Sequence, residues 1–153
     1  MLKKWKNKKL LKNEKGLTLV ELLAVIVILA IIAAIAVPAI GNIINKSKDR
    51  AILAEASNIL AGAKIAYIDG ACENDTCEKK ALEPYVDGID LDGTVVELKK
   101  DTGWVITYPR LEQIKLTEFK VTDKQATEKE INQKLVKAGG KGSEDNNETG
   151  DEG

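Results

Sequence analysis

From Leu22 to Ile40 the chain sets nineteen residues in succession without a charge or a strongly polar side chain. As a helix rising ~1.5 Å per residue, this run is ~28 Å long, enough to cross the hydrocarbon core of a bilayer. Uniform apolarity then gives way to a stripe. Ile52, Ala56, Ile59, Leu60, Ala63 and Tyr67 recur at helical spacing, with Lys48, Asp49, Glu55, Asn58 and Lys64 between them. This pattern predicts an amphipathic helix with one face docked on a globular head and the other covered by polar residues. Unbroken from Leu17 to about Ile68, the helix is ~78 Å long, and Gly70 supplies its stop.

The pattern then changes period. Thr94–Lys99, Trp104–Tyr108 and Gln113–Val121 are β-prone, and Lys100-Asp101-Thr102-Gly103 predicts a turn that makes the first two a hairpin. Trp104, Ile106 and Tyr108 alternate with Val105 and Thr107, so one face of that strand can lie on the helix. Residues 126–137 predict a short surface helix anchored by Ile131 and Leu135, and the segment from Gly139 onward has no apolar residue. The fold class is therefore α+β, a long N-terminal helix packed on a small antiparallel sheet.

Charge sharpens the picture at the N-terminus. The first sixteen residues carry seven lysines and one glutamate, a net +6, whereas the remainder carries sixteen basic and twenty-three acidic side chains, a net −7. A lysine-rich stub before an apolar run is a targeting signal, and the positive-inside bias holds the stub in the cytoplasm and sends the head across. Lys46, Lys48 and Arg50 are the competing cluster on the far side, diluted by Asp49. Composition argues against an enzyme and against a bound cofactor. There is no histidine, and no Gly-x-Ser-x-Gly, P-loop or His-Glu-x-x-His pattern.

The stretch Lys15-Gly16-Leu17-Thr18-Leu19-Val20-Glu21 resembles the prepilin-type N-terminal motif of type IV pilins and pseudopilins, over roughly residues 1–45. The resemblance implies cleavage between Gly16 and Leu17 by a prepilin peptidase, and N-methylation of the new amine on Leu17. Leu17 stands where the family more often has phenylalanine. The partners it implies are the lipid bilayer before assembly, an inner-membrane assembly platform, and copies of the same or other pilins in a filament. A carboxylate in hydrocarbon costs on the order of 2–3 kcal/mol or more unless it is partnered. Glu21 therefore has two readings: a membrane-edge acid that snorkels to the headgroups, or, as the resemblance implies, the partner of a neighbouring subunit's terminal amine, setting register during assembly. Pro38 falls where pilins carry a helix-breaking proline. With Gly41 it reads either as a tolerated membrane proline or as a hinge.

The implied organisation is a leader at 1–16 that is removed, a transmembrane and assembly helix at 17–44, an amphipathic helix at 45–69, a head at 70–138 and a disordered acidic tail at 139–153. Cys72 and Cys77 read as a structural disulfide outside the membrane. Asp87, Asp90 and Asp92 form a weak calcium candidate. With Gly93 at the turn, the first and last EF-hand positions fall on Gly88 and Lys99, so Asp-Gly turn formation is the stronger reading. Scattered Lys79, Lys80, Lys99, Lys100, Lys115 and Lys120 read as a solvated face, and the acidic balance argues against direct nucleic-acid contact. The triplets starting at Asn45, Asn74 and Asn147 match a glycosylation pattern that carries little weight here.

Three functions fit: a pilus subunit, a pseudopilin of a DNA-uptake or secretion system, and a single-pass anchored binding module that does not polymerise. Gly16, Leu17 and Glu21 argue against the third. Each implies a single-pass membrane protein with its head outside the cytoplasm; the first two end in an extracellular or cell-envelope filament.

Overall fold

A computed structural model describes residues 3–139, with side chains placed from Gly16 onward; the acidic stretch at 140–153 lies outside the described residues. Helix α1 runs Lys3–Ile68. It begins fourteen residues before Leu17, in a stretch built of lysine, leucine and other residues that helices tolerate and without a proline. Backbone helicity continues through Pro38.

The chain divides into two units, 1–43 and 44–153. Among its described side chains the first presents an apolar surface to its surroundings. Leu22, Ile26, Leu29 and Ile32 are all more than half exposed. The helix is long and apolar enough to cross a membrane.

In the second unit, α1 ends in a Schellman motif. The Ala71 N–H donates to the Ala66 carbonyl at 2.9 Å and the Gly70 N–H to Tyr67 at 3.1 Å, with Gly70 at φ +76°. Glycine is needed there because the left-handed conformation crowds a Cβ. The sheet follows: β1 (Thr76–Glu78), β2 (Val95–Lys99), β3 (Gly103–Thr107) and β4 (Gln125–Thr127), antiparallel throughout in that order. The hairpin registers Leu98 with Trp104 and Lys99 with Gly103, close to the expected turn. A four-residue helix α2 (Lys79–Leu82) follows β1, and α3 (Glu128–Lys137) closes the head. Thr127 caps α3, its hydroxyl accepting from the Glu130 N–H at 3.1 Å.

One core joins these elements. Leu53, Ile59 and Leu60 of α1 meet Val96 and Ile106 of the sheet, and Ile131 and Leu135 of α3 seal it. Each such side chain contributes about 1.5–3 kcal/mol on leaving water.

Two expectations are corrected. Gln113–Val121 is not a strand. The segment makes two 3-10 turns, Pro109–Gln113 and Thr117–Phe119, and drives Leu111, Ile114 and Phe119 into the core. The sheet has four strands instead, because the three-residue edges β1 and β4 are too short for alternation to reveal. Asp49 is not on the polar face. It is 1 % exposed, and its two carboxylate oxygens accept the Lys115 N–H at 3.0 Å and the Leu116 N–H at 2.8 Å. Those are donors a strand would have spent on a ladder.

Candidate functional site

Gly16, Leu17 and Glu21 lie on consecutive turns of α1. A Cβ built on Gly16 would meet nothing within 4 Å, and its φ is not one that demands glycine. Nothing in the described packing requires a small residue there. Leu17 is 66 % exposed, and Glu21 is exposed between Val20 and Leu22. Among the described residues Glu21 makes no ion pair. Residues four apart share a helix face, so Leu17 and Glu21 stand on the same side of α1. Gly41 is equally unconstrained, with open space where its Cβ would be.

In the head, several polar groups hold its elements together. Cys72 and Cys77 are bonded, with Cα atoms 4.6 Å apart. The disulfide closes a turn in which Asn74 (φ +49°) and Asp75 (φ +60°) occupy the left-handed region, and Glu73 and Thr76 exchange backbone hydrogen bonds at 3.0 and 2.9 Å. The Tyr67 hydroxyl donates to Asp75 Oδ1 at 2.9 Å while its ring meets Trp104 edge-on, centroids 5.5 Å apart. Tyr85 donates to Asp69 at 2.8 Å.

A second tie crosses from α1 to the segment after β3. Glu55 accepts from the Tyr108 hydroxyl at 2.7 Å and from Arg110 Nη1 at 2.6 Å. Burial, and then the bond to Glu55, push the Tyr108 phenol up to about 12. Lys64 pairs with Glu128 and ties α1 to α3.

The aspartates form turns. Asp90 Oδ1 accepts the Asp92 N–H at 3.0 Å, Asp92 pairs with Lys79, and Gly88 and Gly93 take φ of +72° and +70°. Among the described residues no group of three or more histidines, cysteines and acids is placed to hold a metal. Of the scattered lysines, Lys79 and Lys99 are ion-paired, Lys99 to Glu97 at 3.4 Å.

Sequence reading missed the buried Asp49 and the Glu55–Tyr108–Arg110 cluster. It also missed Gly62, where an added Cβ would lie 2.5 Å from a Val86 methyl and 3.1 Å from the Tyr85 carbonyl. For Asp49 a signal existed, since it stands three and seven residues before core-facing Ile52 and Ala56.

Neither the curated proteins nor the solved structures contain a match to the chain. The family model described as the prokaryotic N-terminal methylation motif matches residues 11–37, a span that takes in Gly16, Leu17, Glu21 and most of the apolar run. That motif leads a membrane-capable helix and an α+β head, an arrangement that supports kinship with the type IV pilins and pseudopilins.

Proposed function

We propose that the chain is a structural subunit of a type IV pilus or pilus-like filament, polymerising through its N-terminal helix once the leader is removed. The observation that carries this reading is the exposed Glu21, four residues beyond Leu17 at the start of a long apolar run and without an ion-pair partner among the described residues, just after a Gly16 that nothing in the described packing requires.

A peptidase cutting after Gly16 turns the Leu17 nitrogen into a charged amine. The leader's net charge of +6 leaves with the fragment, on the cytoplasmic face. The amine, then N-methylated, meets Glu21 of a subunit already assembled. In hydrocarbon each charge needs a partner, so the pair forms at one axial offset and fixes the register. Pro38 withholds one N–H from the helix, and Gly41 lowers helix propensity three residues later, so the backbone at 38–41 serves as the hinge during packing. Because the contact is head-to-tail and does not close, it yields a helical polymer.

Glu21→Gln tests the pairing. The variant is expected to be cleaved and methylated at Leu17 yet to lose filament from sheared supernatants, since an unpartnered buried charge costs about 3–5 kcal/mol at each contact. Filaments at the unsubstituted level would overturn the role given to Glu21.

A further inference from the structure

Lys46, Lys48, Asp49 and Arg50 are the first charged residues after the apolar run, and the fold removes the one acid among them from the surface. The Asp49 carboxylate is 1 % exposed and accepts the Lys115 and Leu116 N–H groups. A helix turns about 100° per residue, so Lys48 and Arg50 emerge on either flank of Asp49, with Lys46 near the Arg50 flank. All three are exposed, as is Lys115 on the segment that Asp49 holds. None of the four is ion-paired among the described residues. The neighbouring acids are mostly engaged. Glu55 is bound to Tyr108 and Arg110, and Glu112 to Lys124, which leaves Glu118 as the exposed acid without an ion pair on these two segments. A cluster that Asp49 dilutes in the sequence is thus, in the fold, a surface of four exposed cations.

Position decides which anion this surface meets. Ile40, Ile43 and Ile44 are exposed, and Lys46 and Arg50 stand two and six residues beyond Ile44, ~3 and ~9 Å along the helix. The polar layer on each side of a bilayer's hydrocarbon core is about 5–8 Å deep. With the apolar run in that core, the helix cations lie among the headgroups. An ammonium or guanidinium binds a phosphodiester through charge-assisted hydrogen bonds, and Arg50 can make two in parallel. Nucleic acid offers phosphates as well, but exposed isoleucines next to the cations suit a lipid surface and not a hydrated duplex.

We propose that Lys46, Lys48, Arg50 and Lys115 form a binding surface for the phosphodiester headgroups of anionic lipids, at the end of the apolar run opposite the leader. The contact needs neither a second copy nor a filament, so it goes beyond the function proposed above and does not depend on it.

The test uses the full chain with a photo-crosslinking residue at Ser47, which is exposed among the helix cations. The chain is reconstituted at low density in vesicles of phosphatidylcholine and phosphatidylglycerol in equal parts, and adducts are identified by mass. A probe at Ser47 reads this cluster and not the leader's lysines, which precede the apolar run. Each cation near an anionic surface is worth roughly fivefold in binding, so phosphatidylglycerol adducts are expected to outnumber phosphatidylcholine adducts by about tenfold or more. Lys46→Gln with Lys48→Gln and Arg50→Gln should bring the two within about twofold of each other. Lys80→Gln with Lys100→Gln, elsewhere on the head, should leave the ratio unchanged. Equal adducts in the unsubstituted chain, a preference that survives the triple substitution, or adducts with a second copy in place of lipid would overturn the proposal. So would a preference abolished by inorganic phosphate at matched ionic strength, which would mark a site for the free ion.

Discussion

Asp49 ties α1 to the segment after β3 from inside the head. Its carboxylate is out of water, and the two backbone donors of Lys115 and Leu116 hold it there. Removing it would strand both N–H groups beside the core. Asp49→Ala is therefore expected to destabilise the full chain in detergent by about 1–3 kcal/mol, read by thermal denaturation. Tyr108 gives a second residue-scale prediction. Its phenol is raised to about 12 in the fold, so the folded state keeps a proton that the unfolded chain releases near pH ~10. The stability contributed by that protonated phenol is present below pH ~10 and is lost as pH climbs toward 12. Denaturation of the unsubstituted chain and of Tyr108→Phe across this range should show a steeper loss in the former. Parallel slopes would contradict the raised phenol, which burial and then the Glu55 bond produce. What the sequence did not show was their partners, since a polar–apolar pattern records that a carboxylate is present and not which donors the fold will bring to it.

At the scale of elements, sequence legibility followed length. The apolar run, the stripe ending at Gly70, the β2–β3 hairpin and α3 all have enough positions for a period to show, and the structure holds each of them. Gln113–Val121 failed because Ile114 and Leu116 mimic strand alternation, while Pro109 and the Asp49 carboxylate turn the chain into 3-10 geometry. Strands β1 and β4 have three residues each, and short edges of this kind also limit unwanted pairing with other chains. Gly62 shows how closely α1 and the segment after α2 approach. An alanine there gains about 1 kcal/mol of helix propensity, but overpacking against Val86 and the Tyr85 carbonyl costs about 1–3 kcal/mol. Gly62→Ala should accordingly lower the melting temperature, whereas Gly41→Ala, with open space at its Cβ, should not.

For the whole molecule the division of labour follows from where polar groups are spent. In the head several described charges tie elements together, through Glu55–Arg110, Lys64–Glu128 and the Asp49 bonds. The first unit instead leaves an apolar surface and one acid without a described partner. Such a surface suits lipid or the company of other helices, and in the proposed function the Leu17 amine is the cation that partners Glu21 there. The proposed site could be read from the sequence because it is linear: Gly16, Leu17 and Glu21 stand close together on one helix and need no tertiary fold to bring them together. The account stands or falls on the mass of the N-terminal peptide of the protein sheared from cells. It predicts a peptide that begins at Leu17 and carries one added methyl group. A protein that begins at Met1 and stays in the membrane fraction would contradict it.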